Sequence, residues 1–472
     1  FCQFWKFVKQ DMEQPKQKIV TGFGLFKSVN TLVATPKNLD DLAKCIDFAK
    51  QKKFKIAIQG GGNSYSDVFF NNQLVIDTKQ LNSIKSFDSE NGQITVEPGV
   101  RIGDLLDIIM PHNWILVGLS GSVNDVIGGM LSTNVHGKDS WKNGNFSQNI
   151  ISFKIMLANG TTEIIKNDNR SELFNSIVGG LGFLGLITEI TLKLKPIPSY
   201  MVQHQTQRIP NLEKLVDFFY SLEENGLEYA HALLNPFASG GDIGQGISDS
   251  CRFVNEQNCS EEKFKEFLVK KPRVYMLKPK NFWSLCKLFW NNNTNRIICD
   301  MRYRKTPTSY TENTIPFPKY QYPHSAKPNF NLLFTPSGFF EVQTIFPKDI
   351  AIQAFKELLL LGQHYKLYPC ICGIKRHKSD SSYLSFANDG LSIAWNFSLN
   401  GITSKQRDEY CKKLTDVILT HNGKIYLAKH PYFTKDDFHS MYPNYKKVLE
   451  MKTKYDPDCL FSSGATQRLL HV

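Results

Sequence analysis

Residues 54–77 read FKIAIQGGGNSYSDVFFNNQLVID. The apolar run 54–58, with β-branched Ile56 and Ile58, predicts a buried strand, and 74–76 predicts a second. Between them stand Gly60, Gly61 and Gly62, followed by Asn63, Ser64 and Ser66. Three successive glycines let the backbone approach a ligand closely and turn their N–H groups inward, which makes an anion-binding nest without side-chain charge. Asn63 and the serines can add polar contacts. Taken alone, the stretch favours a tight turn in a sheet, because glycine clusters mark turns more often than phosphate sites. The rest of the chain decides between the two readings.

At 472 residues, 41% hydrophobic and 21% charged, the chain is an ordinary globular sequence with room for two or three domains. No apolar run approaches the ~18 residues that cross a bilayer. The aromatic stretch 1–8 reads as a packed arm or a clipped remnant of a targeting segment. The net charge of +12 is spread along the chain and accompanies no nucleic-acid-binding motif, so nucleic acid is not the expected partner. Basic residues concentrate between about 268 and 306, among Trp283, Phe289 and Trp290. Such a stretch is either solvated surface or a face suited to a membrane surface or a phosphate-bearing substrate. Ten cysteines show no CxxC pair and no zinc spacing, so no metal is expected. Their usage points to free thiols in a reducing compartment, cytoplasmic or peripheral at the inner membrane, and is compatible with the envelope side.

The first 200 residues predict a helix at 39–52 and another at 103–110. Strands follow at 93–98, 115–117, 150–157, 162–165 and 186–194, with the hairpin signal Asn159-Gly160. Glycine-marked turns recur at 118–122, 127–129 and 179–185. Beyond about 200 the texture changes to helices at 211–224, 260–270, 350–361 and 405–421 around strands at 339–345 and 391–399. That is the pattern of a second α+β unit on an antiparallel sheet. Five prolines in 306–331 predict a long mobile connection. The last segment opens with a strand at 424–429 and continues as a helix at 436–452.

Gly180, Gly182 and Gly185 match the dinucleotide fingerprint GxGxxG by letter, but the residues that follow are β-rich, whereas the fingerprint requires a helix there. The Rossmann reading is rejected. Four glycine turns, at 60–62, 121, 128–129 and 179–185, are an odd excess for structure alone. They make sense if several loops converge on one large phosphate-bearing ligand.

With residues 60–67, 121–129, 134–137 and 179–187 the chain resembles the vanillyl-alcohol-oxidase/p-cresol-methylhydroxylase flavoprotein superfamily. Within it the likeness is greatest to the decaprenylphosphoryl-β-D-ribose 2-oxidase family. It extends nearly end to end through Val135-His136-Gly137-Lys138, Leu157-Ala158-Asn159-Gly160, Tyr426-Leu427-Ala428-Lys429, the run 438–443, and Asp456-Pro457 with Phe461-Ser462-Ser463. The resemblance implies an FAD-binding unit of residues 1–197 completed by 424–472, with a substrate-binding unit at 198–423. It places FAD against Gly60, Gly61, Gly62, Asn63, Ser64, Gly121, Ser122, Gly128, Gly129, Asn134, Gly137, Gly179, Gly185, Ile187 and Tyr426. In many relatives the position of Asn63 is a histidine bonded to the flavin; asparagine cannot form that bond, so FAD is expected to be non-covalent.

Oxidising a secondary alcohol needs a group for the hydroxyl proton and a cation beside the reduced flavin. Lys429, at the end of an apolar stretch, is the first candidate. His136 reads either as a flavin-side residue, as the resemblance implies, or as a hydrogen-bonded core histidine. Tyr65, Gln343 and Lys375 match positions on the family's substrate side and could equally be structural. The family cysteine appears as Ala394, which puts the pocket's shape in doubt. The resemblance implies a lipid-linked sugar phosphate as substrate and a short-chain reductase as partner. Two rivals stand beside it: a sugar-lactone or alditol oxidase, and a flavin-binding module without turnover of its own.

Overall fold

The computed structural model describes residues 13–168, 171–256, 264–269, 273–429 and 431–470. The expected arm at 1–8 and residues 260–263 and 270 of the expected helix at 260–270 lie outside the described residues; of 264–269 only the first two are helical. The architecture is α+β and rests on three main sheets.

The first sheet orders strands Lys16–Thr21, Ser28–Ala34, Leu74–Asp77 and Ile56–Gln59. The last three run parallel, with Ile56 opposite Leu74 and Gln59 opposite Asp77. Helix Leu39–Lys52 makes the crossover. Asn38 caps it by accepting from the Asp41 N–H, and Leu42, Cys45, Ile46 and Ala49 form the buried i, i+3, i+4, i+7 stripe. The free edge of strand Ile56–Gln59 is covered from the far end of the chain: the Ile56 N–H donates to the Leu460 carbonyl at 2.7 Å, and the Ser462 N–H donates to the Ile56 carbonyl at 2.7 Å.

The second sheet is antiparallel, in the order Ile84–Asp88, Gln93–Val96, Leu186–Lys193, Ile150–Met156 and Thr162–Lys166. The loop 179–185 feeds a strand, as the rejection of the Rossmann reading required. The third sheet has eight antiparallel strands: Thr311–Pro316, Met201–Ile209, Gly246–Phe253, Tyr229–Leu234, Cys372–His377, Gly390–Ser398, Phe339–Pro347 and Lys424–Ile425. Helix Lys348–His364 packs against this sheet and against helices Leu212–Tyr220 and Ser404–Thr420. Phe340, Val342, Phe346, Leu391, Ile393, Trp395, Phe397, Cys372 and Ile374 point into that core. By the period-two rule their neighbours Glu341, Gln343, Ser392, Ala394, Asn396, Gly373 and Lys375 face the other way.

Four expectations are corrected. Gly128 and Gly129 lie in helix Ile127–Thr133, not in a turn; an apolar segment of seven residues is too short to show helical periodicity. Residues 306–331 are not a mobile connection but hold the edge strand Thr311–Pro316 and helix Phe317–Gln321. Two of their prolines, Pro316 at the strand end and Pro318 in the first helical turn, sit where no amide donor is needed. The strand expected at 424–429 stops at Ile425, and Lys429 stands on a turn closed by its N–H to the Tyr426 carbonyl at 3.2 Å. The helix expected at 436–452 is two helices, Lys435–Met441 and Tyr445–Tyr455, parted at Pro443.

Candidate active site

The inward faces of all three sheets meet around one deep cleft enclosing about 1260 Å³ of empty space, its open mouth included. Its walls bring together Gly60, Gly61, Gly62, Asn63, Ser64, Gly121, Gly128, Gly129, Gly185, Ile187, Tyr426, His136, Gln343, Lys375 and Lys429 from the sequence-derived set. Stretches up to 369 residues apart in the chain (60 to 429) thus share one wall. The backbone N–H groups of Gly61 through Ser64 donate to no acceptor among the described residues. At Gly121 a Cβ would meet nothing within 4 Å, so the space beside it is the cleft itself.

Tyr65, Ser122, Asn134, Gly137 and Gly179 do not line the cleft; they shape it from behind. Asn134 ends helix Ile127–Thr133 at φ 43°, and its amide donates to Asp380 at 2.9 Å. The Ser122 hydroxyl accepts the Asn124 N–H at 3.2 Å. A Cβ on Gly137 would come within 2.6 Å of the Asp139 carboxylate. Gly179 holds a left-handed turn at φ 78°.

Tyr65 does its work one layer back. Its hydroxyl donates to Glu341 Oε2 at 2.7 Å, and Asn396 Nδ2 donates to the same oxygen at 2.5 Å. The other oxygen, Oε1, faces Lys429 Nζ at 3.2 Å, and that ammonium lies 4.2 Å above the Tyr65 ring. Lys429 is therefore a paired cation held over an aromatic face. Glu341 was missed, although the alternation Phe-Glu-Val-Gln in 340–343 is legible; the sequence cannot say which face of a doubly buried strand meets a cleft.

The second cation, Lys375, projects from strand Cys372–His377 opposite Ser392 and has no ion pair or hydrogen bond among the described residues. Burial, and after it the charge of Lys429, brings its pKa down to about 8. His136 is buried, with Nδ1 unpartnered. Its ring meets His377 edge-on at 4.7 Å and Tyr426 at 5.1 Å. Burial first, then the charge of Lys375, holds it well below the usual histidine range, so it is a neutral imidazole. Asp125, also missed, accepts from Asn63 Nδ2 at 2.5 Å, and burial pushes its carboxyl upward. Ala394 lines the cleft opposite Gln343, and among the described residues no cysteine does.

Comparison with known proteins matches residues 31–166 to the family described as FAD binding domain, and residues 349–469 to D-arabinono-1,4-lactone oxidase. The chain belongs to the FAD-dependent oxidoreductases. A relative with the name decaprenylphosphoryl-beta-D-ribose oxidase, from Mycolicibacterium smegmatis, is 25% identical over 88% of this chain and 89% of its own length. D-arabinono-1,4-lactone oxidase of Yarrowia lipolytica is 28% identical over 42% of this chain and 37% of its own, and L-gulonolactone oxidase of Bos taurus 28% over 36% and 38%. This flavoprotein's cleft fits the cofactor. The unpaired amides at 61–64 and the open side of Gly121 form an anion cradle at the glycine end. The unpartnered Nδ1 of His136 waits for a polar ring further along.

Proposed function

We propose that this oxidoreductase removes hydrogen from a secondary hydroxyl of a sugar carried on a polyprenyl phosphate, the 2-hydroxyl of a polyprenylphosphoryl pentose, as the first half of an epimerisation. The observation that carries the reading is the Glu341–Lys429 pair on the cleft wall with the unpaired Lys375 beside it. FAD, when bound, supplies the acceptor for the hydride at N5 of its isoalloxazine ring. The chain does the rest. Glu341 Oε1, the one basic oxygen of the pair, takes the hydroxyl proton. Lys429 Nζ stabilises negative charge as it builds on the sugar oxygen, without reorganising, because Tyr65 and Glu341 already fix it. Lys375, without a partner among the described residues, suits a phosphate oxygen. A short-chain reductase would then return hydrogen to the keto-sugar from the other face.

One observation favours a second reading, oxidation of a sugar-1,4-lactone or an alditol: residues 349–469 match the D-arabinono-1,4-lactone oxidase family. Anaerobic loss of the yellow absorbance separates the two. Bleaching by a polyprenylphosphoryl pentose but not by an aldonolactone or xylitol supports the first; the reverse pattern replaces it. A protein bleached by none of them would be a flavin module without turnover.

FAD is held without a covalent bond, because the position that could carry one is Asn63, whose amide is engaged by Asp125. Acid precipitation should leave the colour in the supernatant. A yellow pellet overturns this.

A further inference from the structure

Between 273 and 305 the surface departs from the rest of the molecule. Elsewhere the exposed large apolar side chains, such as Ile19, Ile108 and Ile164, are scattered singly, which is normal. Here they crowd. Tyr275 and Met276 stand at the tip of a turn, 76% and 85% exposed, and both hold the left-handed conformation at φ 45° and 69°. Leu285, Leu288 and Phe289 lie on the outer side of helix Pro279–Phe289, and Ile297, Ile298 and Met301 on that of helix Asn292–Lys305. The opposite side of the first helix, with Phe282, Trp283 and Cys286, packs inward, and its outer apolar residues stay exposed among the described residues. The same stretch carries eight basic residues and one acid, and that acid, Asp300, is engaged by Asn235.

We propose that these two helices and the turn before them dock the protein on an anionic bilayer. Exposed leucine, methionine and tyrosine ringed by lysine and arginine suit the headgroup boundary: the apolar tips enter it and the cations meet lipid phosphates. Among the described residues no helix is long and apolar enough to cross a membrane, so the contact is interfacial. A protein partner would leave the charge excess unexplained, and nucleic acid would not call for the apolar side chains.

The position of the patch gives it a purpose. Helix Pro279–Phe289 lies on segment Phe330–Phe334, with Trp283 Nε1 donating to the Pro328 carbonyl at 2.8 Å. Trp283, Phe334, Phe339 and Tyr65 form one aromatic cluster, and Tyr65 is the residue that holds Glu341. A continuous apolar path therefore joins the proposed bilayer face to the reacting end of the cleft. A substrate with a polyprenyl tail could keep that tail in the lipid while its sugar enters. This purpose rests on the lipid-linked reading; the docking itself does not.

The test is flotation of the FAD-loaded chain with two kinds of vesicle, pure phosphatidylcholine and a mixture with about one-third phosphatidylglycerol. Binding is expected to the mixed vesicles and weakened by salt. Two triple variants, Met276→Ser/Leu285→Ser/Leu288→Ser and Lys280→Glu/Lys287→Glu/Arg296→Glu, should each lose about tenfold or more in partition constant. Their flavin spectra and thermal unfolding should be unchanged, since every substituted side chain is exposed. Absence of wild-type binding, equal binding by the variants, or equal affinity for neutral vesicles overturns the proposal, as does a patch that instead mediates self-association or duplex binding. Vesicle binding without bleaching by any polyprenylphosphoryl sugar would keep the docking and remove the substrate reading.

Discussion

Lys429→Ala yields a yellow, folded protein that its sugar substrate reduces about 10²–10⁴ times more slowly. The fold survives because Lys429 stands on a turn and its side chain is a quarter exposed, so little core is lost. The cofactor stays because its glycine loops are elsewhere. What disappears is the fixed positive charge over the sugar oxygen, and Glu341 gains nothing in its place. Stopped-flow bleaching under anaerobic conditions measures the rate directly. Lys429→Arg should recover part of it, since a guanidinium can still pair with Glu341 but spreads its charge over a plane. Glu341→Gln separates the two roles: the amide keeps its contacts with Tyr65 and Asn396 but cannot take a proton. Bleaching at the wild-type rate in Lys429→Ala removes the ammonium from the mechanism.

Asp456→Ala is expected to be the most destabilising single change. Lys452 Nζ donates at 2.6 Å to three acceptors: the Phe183 carbonyl, the Phe461 carbonyl and Asp456 Oδ2. Asp456 also accepts the amides of Leu460 and Phe461 at 2.8 and 2.9 Å. Both side chains are almost fully buried, at 2% and 0% exposure. Deleting the carboxylate strands an ammonium in the interior and orphans two N–H groups, which costs about 3–5 kcal/mol. The damage lands on the cofactor site, because Phe183 belongs to the 179–185 loop and residues 460–462 cover the strand that feeds the glycine triplet. Thermal unfolding should fall by about 3–5 °C, with partial recovery on added FAD. Lys452→Met/Asp456→Leu, which removes both charges, should regain much of the loss. A shift of under about 1 °C in the single variant would mean the ion pair is not buried as described.

The parts of the molecule legible in the sequence are those whose signal is local. Helix 39–52 announced itself by its apolar stripe, and the strand–glycine–strand stretch by composition. The glycine loops could be grouped because one large ligand explained their number. Glu341 and Asp125 were illegible for a different reason: only strand pairing shows what Glu341 faces, and only the convergence of two distant loops brings Asp125 to Asn63. Lys429 was found from the sequence, but its ion-pair partner Glu341 was not. The prolines of 306–331 misled because their number was counted where their positions mattered.

The strand that carries the glycine triplet takes its outer hydrogen bonds from Leu460 and Ser462, and Asn71 also donates to the Ser462 carbonyl across 391 residues. A nascent chain on the ribosome therefore exposes that edge until nearly all of these residues have emerged. The flavin cradle is assembled late, after translation has passed residue 462, and a product stalled short of it presents a bare β edge to its neighbours.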